Sequence, residues 1–357
     1  MSYLYNIACC LPDFKMAQRD LATYMSALYS ISDKDKDKIR IMYERSGIDY
    51  RFSCLPDFDP AAKNKLFTDT TSEPGMSDRM NIYFKEAVPL AKRTAEQSKK
   101  NEVVTHLISV SCTGMAAPGL DLLLVKALGL NPTLERTSVN FMGCYALFHA
   151  LKMADHICKS TSNAKVLIVS VELCTLHFQK TYSSDQVAAN LLFGDGASAC
   201  IVSAEKPVNE KYFCINRFYS EIIEKGENDM TWRLSETGFL MTLSAYIPAL
   251  IEAGIGAITK KALQQLKVQQ NAIEHWAIHP GGRRILDNIQ KELKLPQHAL
   301  KDSYKVLKEV GNLSSATLLF VLNQIINSEN YNPIQPVFAA GFGPGLTVET
   351  MLMNCQV

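Results

Sequence analysis

The chain has 357 residues, 47% hydrophobic and 20% charged, with 37 basic side chains against 36 acidic. That length allows two ordinary domains or a fused pair sharing one core, and the even charge balance leaves no electrostatic footprint for nucleic acid. No apolar run reaches the roughly 18 residues of a membrane span, and ten cysteines (9, 10, 54, 112, 144, 158, 174, 200, 214 and 355) occur without paired metal spacings and with no secretory segment before them, so they read as reduced thiols of a cytoplasmic protein.

A first strand is predicted over Tyr3 to Cys9, and after Pro12 a helical pattern puts Met16, Leu21, Tyr24, Met25 and Leu28 on one face. Between Asp33 and Arg51, Lys34, Lys36, Lys38, Arg40 and Arg45 are interleaved with Asp35, Asp37 and Glu44. Such a run is either a solvated helix face or a site for an anionic ligand. Ser77 is expected to cap a long amphipathic helix striped by Met80, Tyr83, Phe84, Ala87, Val88 and Ala91, with Pro89 bending it. The strand Val103 to Val110 ends at Ser111-Cys112-Thr113-Gly114, and a helix follows from about Gly119 to Leu128.

Thr137 to Phe141 alternates like a buried strand, and beyond Gly143 the residues Leu147, Phe148, Leu151, Ala154 and Ile157 recur with a helical period. Cys144 therefore stands where a helix begins. The positive end of the helix dipole would favour its thiolate; a buried structural cysteine is the alternative. Lys165 to Glu172 is a strand of the kind buried on both faces, with Glu172 ending it inside apolar sequence. A helix through Val187, Ala188, Asn190 and Leu191 leads to Phe193-Gly194-Asp195-Gly196 and the strand Ser198 to Ser203. This strand-helix rhythm predicts an α/β domain around a central sheet.

Beyond Pro207 the rhythm restarts with a strand over Tyr212 to Phe218 and a long apolar helical region over Phe239 to Leu266. Trp276-Ala277-Ile278 reads as a buried strand ending at His279-Pro280-Gly281-Gly282, where proline and two glycines force a turn. Asn312 stands near the N-cap of a helix over Leu313 to Ile326. The chain closes with Val337 to Ala340, the turn Gly341-Phe342-Gly343-Pro344-Gly345 and a strand from Leu346 to Met353; no helix follows those glycines, so they are not a dinucleotide loop. Phe193 to Gly196 and Phe342 to Gly345 each read as a glycine-turned hairpin closing one half of a duplicated chain, which brings Cys144, His279 and Asn312 to a common seam. His275, four residues before His279, has no third ligand at a suitable spacing, and no metal site is expected.

The motifs Gly143-Cys144, Leu192-Phe193-Gly194-Asp195-Gly196-Ala197, Ile278-His279-Pro280-Gly281-Gly282, Gly311-Asn312-Leu313-Ser314-Ser315-Ala316 and Gly341 to Glu349 together resemble the chalcone-synthase-like type III polyketide synthases, a branch of the thiolase fold. The resemblance covers nearly the whole chain. It implies two pseudo-repeated βαβαβαββ halves, 1–205 with the nucleophilic cysteine and 206–357 with the histidine and asparagine, stacked as an α-β-α-β-α sandwich. It implies a homodimer that takes an acyl-CoA starter onto Cys144, extends it iteratively with malonyl-CoA, and releases a pyrone, resorcinol or phloroglucinol-type product, with no cofactor beyond the CoA thioesters. His279 would pair with the thiolate as imidazolium, and with Asn312 it would hold the enolate formed on decarboxylation. A single-round ketoacyl synthase III-like enzyme and a catalytically silent acyl-CoA-binding protein are the rival readings.

In the same resemblance Phe193 matches one of two gatekeeper phenylalanines, and Met241 replaces the other. Trp232 falls where glycine is usual in plant relatives, so a cavity reduced by the indole is expected unless the ring packs away from it. Ala117 falls at the dimer-side wall, and Cys112, Thr113, His177, Ser314 and Pro344 fall at cavity-lining positions. Cys112 is either a second reactive thiol or a packing residue. Lys38, Arg45 and Arg284 are expected to hold CoA phosphates, with Arg40 and Arg283 close by.

Overall fold

Apolar strands that cannot stay in water and amphipathic helices that can cover them account for the architecture, seen here in a computed structural model. The structure describes every residue except 30, 60–62, 64, 68–72, 245, 329–334 and 357. The first half runs β1 (Ser2–Cys10), β2 (Phe14–Ala17), α1 (Gln18–Leu28), α2 (Asp33–Glu44), β3 (Tyr50–Ser53), α3 (Met76–Lys99), β4 (His106–Ser111), α4 (Leu120–Ala127), β5 (Glu135–Asn140), α5 (Ala146–Ser160), β6 (Lys165–Leu173), α6 (Ser184–Leu192) and β7 (Asp195–Ser203). The second runs β8 (Tyr212–Ile222), β9 (Met230–Ser235), β10 (Gly238–Leu243), α7 (Ile247–Leu266), β11 (His275–Ile278), α8 (Arg283–Glu292), α9 (Lys301–Val310), α10 (Thr317–Ile326), β12 (Pro336–Gly343) and β13 (Thr347–Gln356).

Among the described residues nine strands form one sheet in the order β11-β12-β13-β8-β1-β7-β6-β4-β5. The pairing pattern repeats: β4 lies parallel to β6, which is antiparallel to β7 and then β1, just as β11 lies parallel to β12, which is antiparallel to β13 and then β8. By this correspondence Cys112, just after β4, and His279, just after β11, leave equivalent strand ends. The two halves of the sheet share a middle layer. In α5, Ala146, Leu147, Phe148, Ala150, Leu151 and Ala154 are fully buried, and with α10 they pack between Val110 and Ile168 of one half and Ala339 and Met353 of the other. A separate core lies under α3 on the far side of the first half, and another under α7 and α8 on the far side of the second. These layers are the expected α-β-α-β-α arrangement of the thiolase-like fold.

Several local expectations are corrected. Phe239 to Leu243 is not helix: it pairs as β10 with β9, Met241 opposite Trp232, after a turn in which Gly238 has φ +125°. The helix starts only at Ile247, with Pro248 in its first turn, where a missing N–H is harmless. Gly75 rather than Ser77 precedes α3, and Pro89 lies inside that helix. β5 is an edge strand, exposed at four of its first five residues before Val139 turns inward, because only β4 pairs with it. Phe193 to Gly196 is not a hairpin, since Phe193 leaves α6, bridges in parallel to Asn312 and enters β7. Phe342 to Gly345 does join the antiparallel pair β12 and β13.

Candidate active site

Cys144 lies just after β5 and just before the N-cap Tyr145 of α5. The chain reaches it through Phe141 at φ +58° and Gly143 at φ +82°. Glycine is required at 143, since a Cβ there would come within 2.4 Å of Pro344 Cδ. The Gly143 N–H donates to Cys112 Sγ at 3.1 Å, so Cys112 is buried beneath the turn that presents Cys144.

Asn312 is held on three sides. Its N–H donates to Leu192 O and its carbonyl accepts from Gly194 N–H, both at 3.0 Å. Its Oδ1 accepts from Ser314 N–H at 2.8 Å. That bond caps the short turn Ser314–Ala316 rather than α10 itself, whose N-cap is Ala316, so the expected capping role is displaced by one turn. With Oδ1 engaged, Nδ2 is the donor left to face Cys144, and the side-chain amide lies 4.0 Å from Sγ. His279 leaves the end of β11, its N–H donating to Ala340 O at 2.8 Å. The ring is 1% exposed, and neither of its nitrogens has a partner.

All three residues line one cavity of about 480 Å³, together with Phe193, Trp232, Met241 and Pro344. Arg45, Arg283 and Arg284 line it as well, among apolar side chains such as Ile41, Leu192, Leu243 and Ile285. Desolvation governs its ionisation. Burial pushes the Cys144 thiol up to about 12, against the hydrogen bonds of Ser314 and Asn312, and pulls the His279 imidazole down to about 4. Desolvation therefore works against the thiolate–imidazolium pair expected from sequence, a cost that the helix dipole alone does not reveal.

The remaining expected residues are sorted by the fold. His177, with Trp232, Phe193 and Met241, lines a smaller inner cavity. Its ring meets Trp232 edge-on with centroids 4.8 Å apart, and the indole faces the cavity instead of packing away from it. Thr113 and Ser314 are buried and line neither cavity; Thr113 Oγ1 bonds His177 Nε2 at 2.8 Å, and the Ser314 hydroxyl lies 3.9 Å from Cys112 Sγ. Cys112 lines neither cavity either, which favours its packing role. Ala117, exposed before Pro118, lines neither of these two cavities. Lys38 is exposed on α2 and bonded to Asp35 at 2.7 Å, away from the cavity that Arg45 and Arg284 line. Among the described residues no group of three or more His, Cys, Asp or Glu is placed to hold a metal, and no helix is long and apolar enough to cross a membrane.

Two buried acids and a buried base escaped the sequence reading. Glu172, fully buried behind the site, accepts from Cys112 N–H at 3.0 Å and from the Ser315 hydroxyl, and burial raises it to about 7. Its only signal was a carboxylate inside apolar sequence. Asp195 accepts from Cys54 N–H, Thr175 N–H and the Thr175 hydroxyl, and so ties the segment carrying His177 to β7. Arg51 on β3 is 3% exposed and donates through Nη1 to Phe193 O at 2.6 Å.

Family models for the N-terminal and C-terminal domains of chalcone and stilbene synthases match residues 2–206 and 215–356. The chain is 30% identical to the alpha-pyrone synthesis polyketide synthase-like Pks18 of Mycobacterium tuberculosis, over 94% of this chain and 87% of that protein. It is 31% identical to the probable polyketide synthase 1 of Dictyostelium discoideum, over 98% of this chain but 11% of that much longer protein. Among solved structures, PKS-I from the brown alga Ectocarpus siliculosus superposes with a TM-score of 0.93 at 27% identity, covering 100% of this chain and 99% of that one. The C-terminal type III polyketide synthase domain of Steely1, a type I/III hybrid from Dictyostelium, superposes at 0.92 with 29% identity, covering 100% and 99%.

Proposed function

Since the chain belongs to the chalcone and stilbene synthase family and is a type III polyketide synthase, an acyltransferase working by Claisen condensation, we propose that Cys144 carries the acyl chain and that His279 and Asn312 run the condensation. One observation carries the reading: the three side chains line a single cavity large enough for an acyl chain, with arginines at 45 and 284 on its wall. Cys144 Sγ attacks the thioester carbonyl of the starter while its proton passes to His279, and CoA leaves as the thiol, taking that proton from the imidazole. The transfer accompanies bond formation because burial disfavours a standing thiolate and a standing imidazolium alike. Malonyl-CoA then binds with its thioester carbonyl toward Asn312 Nδ2 and a His279 N–H. As carbon dioxide departs, these donors hold the enolate oxygen, and the enolate carbon attacks the acyl thioester on Cys144. Return of the lengthened chain to the sulfur restarts the cycle.

Arg45 and Arg284 bind the CoA phosphates, and the lining described above makes Lys38 the weaker candidate. The starter is drawn from acyl-CoAs and the product from pyrones, resorcinols or phloroglucinols, with no cofactor beyond CoA thioesters. The halves 1–205 and 206–357 act as one catalytic body; their repeated strand pairing supports this. The enzyme works in the cytoplasm as a homodimer, a reading supported by the exposed edge of β5 and the exposed Met115 beside Ala117. Incubation with a panel of acyl-CoAs and malonyl-CoA, with mass analysis of the products and of the Cys144 adduct, tests the assignment. Acylation at Cys144 and products carrying several malonyl units are expected. Acylation at another residue would refute the role of Cys144, and a single unit per product would refute iteration.

A further inference from the structure

The end of α6 is braced from outside the helix. A helix leaves its last carbonyls without intrahelical partners, and here four successive ones are each taken by a group from another part of the chain. The Tyr43 hydroxyl on α2 donates to Asn190 O at 3.2 Å, and Gln18 Nε2 at the start of α1 donates to Leu191 O at 2.9 Å. Asn312 N–H donates to Leu192 O at 3.0 Å, and Arg51 Nη1 on β3 donates to Phe193 O at 2.6 Å. The donors are themselves joined. Arg51 Nε donates to Gln18 Oε1 at 2.9 Å, and the guanidinium also hydrogen-bonds the Tyr43 hydroxyl. Gln18, Tyr43 and Arg51 are all buried. A positive charge suits the negative end of the helix dipole, and a charge-assisted bond to a carbonyl there is a strong one.

Two of the braced residues bear on the chemistry. Phe193 lines both cavities, and Asn312 is the proposed enolate donor. The backbone couples them, because Asn312 bonds through its N–H to Leu192 O and through its carbonyl to Gly194 N–H, on either side of Phe193. The stem of Arg51 also lies against Gly311, where a Cβ would come within 2.9 Å of Arg51 Cγ. Arg51 thus holds both partners of the bridge, at Phe193 and at the residue before Asn312. Cys144 is held by other means: Gly143 N–H donates to Cys112 Sγ, and Gly143 packs against Pro344. We propose that Arg51 is a positioning residue for the condensation, fixing the bridge from Phe193 to Asn312 and with it the point at which Asn312 Nδ2 meets the enolate oxygen. This rests on Asn312 being the enolate donor. Lysine keeps the charge but not the brace, since one ammonium nitrogen cannot serve the three partners that the planar fork reaches.

The test follows two half-reactions of the full chain. One is the release of acetyl-CoA from malonyl-CoA, in which carbon dioxide departs and the enolate takes up a proton; the other is acylation of Cys144 by the acyl-CoA that loads the parent fastest, read by intact-protein mass. A donor misplaced by about 1 Å can cost on the order of 10²-fold, so Arg51→Lys should slow decarboxylation at saturating malonyl-CoA at least about tenfold and leave acylation within about threefold. Gln18→Met, which removes one bond to the guanidinium and one to Leu191 O, should move the ratio of the two rates the same way by less. In an Asn312→Ala background the amide to be placed is gone, and Arg51→Lys should cost decarboxylation nothing further. Lost stability alone would lower both rates in every background. Equal losses in the two half-reactions, unimpaired decarboxylation, or a full additional loss in the Asn312→Ala background overturns the positioning role while Asn312 keeps its own. Should Arg51→Lys fail to fold, Gln18→Met alone and combined with Asn312→Ala gives the same readings. Decarboxylation by Asn312→Ala as fast as by the parent overturns the enolate role itself.

Discussion

Replacing Trp232 by alanine should lengthen the product. The indole stands in the wall between the two cavities and packs against Phe141, His177 and Phe239 at centroid distances of 5.8, 4.8 and 5.9 Å. Its removal takes away nine ring atoms, and each malonyl extension adds two carbons and an oxygen, so the vacated space corresponds to roughly three extensions in a close-packed site. Full burial would make the truncation cost ~3–5 kcal/mol, but Trp232 is half-buried and its Nε1 is an unpaired donor whose loss is favourable, so about 2 kcal/mol of stability should be lost. A folded variant is therefore expected. With one fixed starter and excess malonyl-CoA, chromatography with mass detection should show products heavier by one to three ketide units, about that many by the packing estimate above. An unchanged product mass from a variant that still acylates Cys144 would mean that the indole does not limit the chain.

Asn312→Ala should lower malonyl-CoA decarboxylation by roughly 10²–10³ while leaving Cys144 acylation nearly intact, since only the enolate needs the amide donor; equal losses in both half-reactions would refute that division. In Gly143→Ala, the positive φ and a Cβ 2.4 Å from Pro344 Cδ should displace Cys144 and slow its acylation at least about tenfold, a result checked by rapid-quench mass analysis and contradicted by an unchanged rate. Stability should depend on acid through two buried imidazoles, held down to about 3 at His177 and about 4 at His279 by burial. Their ordinary value is about 6.5, so below that pH the unfolded chain binds more protons than the folded one, and stability present above it is lost as the pH falls. At pH 5 the two together should cost about 4 kcal/mol relative to pH 7, while Glu172 and Asp195, raised by burial to about 7 and about 6, bind protons in the folded chain and return about 3 kcal/mol, so the urea midpoint should be nearly the same at the two pH values. In His177→Gln the acids prevail and the midpoint should be higher at pH 5 than at pH 7; equal midpoints in the variant would mean that His177 does not titrate with folding.

The proposed catalytic residues were legible because each needs an unusual local arrangement that turn chemistry announces. Cys144 needs the positive φ that Gly143 supplies, and His279 precedes a proline and two glycines that stop β11 at the cavity. Their convergence was legible only through the apparent duplication, which the pairing of β4, β6, β7 and β1 against β11, β12, β13 and β8 bears out even though one of the two supposed hairpins is a helix-to-strand bridge. What stayed hidden depends on solvent access, which periodicity encodes poorly. The mostly apolar run Phe239 to Leu243 satisfies helix and strand alike, and the cross-strand partner Trp232 decides for strand. The direction in which burial pushes Cys144 and His279 was hidden for the same reason: a helix end is visible in sequence, burial in the folded chain is not. Arg51 is the clearest instance. It closes a run of mixed charges in which Lys36, Lys38 and Arg40 each bond an acid on α2, and nothing in its spacing separates it from them. It differs because β3 carries it inward past Gly194 and Gly311, which leave room for its stem beside the segment joining Phe193 to Asn312. There its Nη1 donates to Phe193 O, so a buried cation ties β3 to the residue that bridges Asn312.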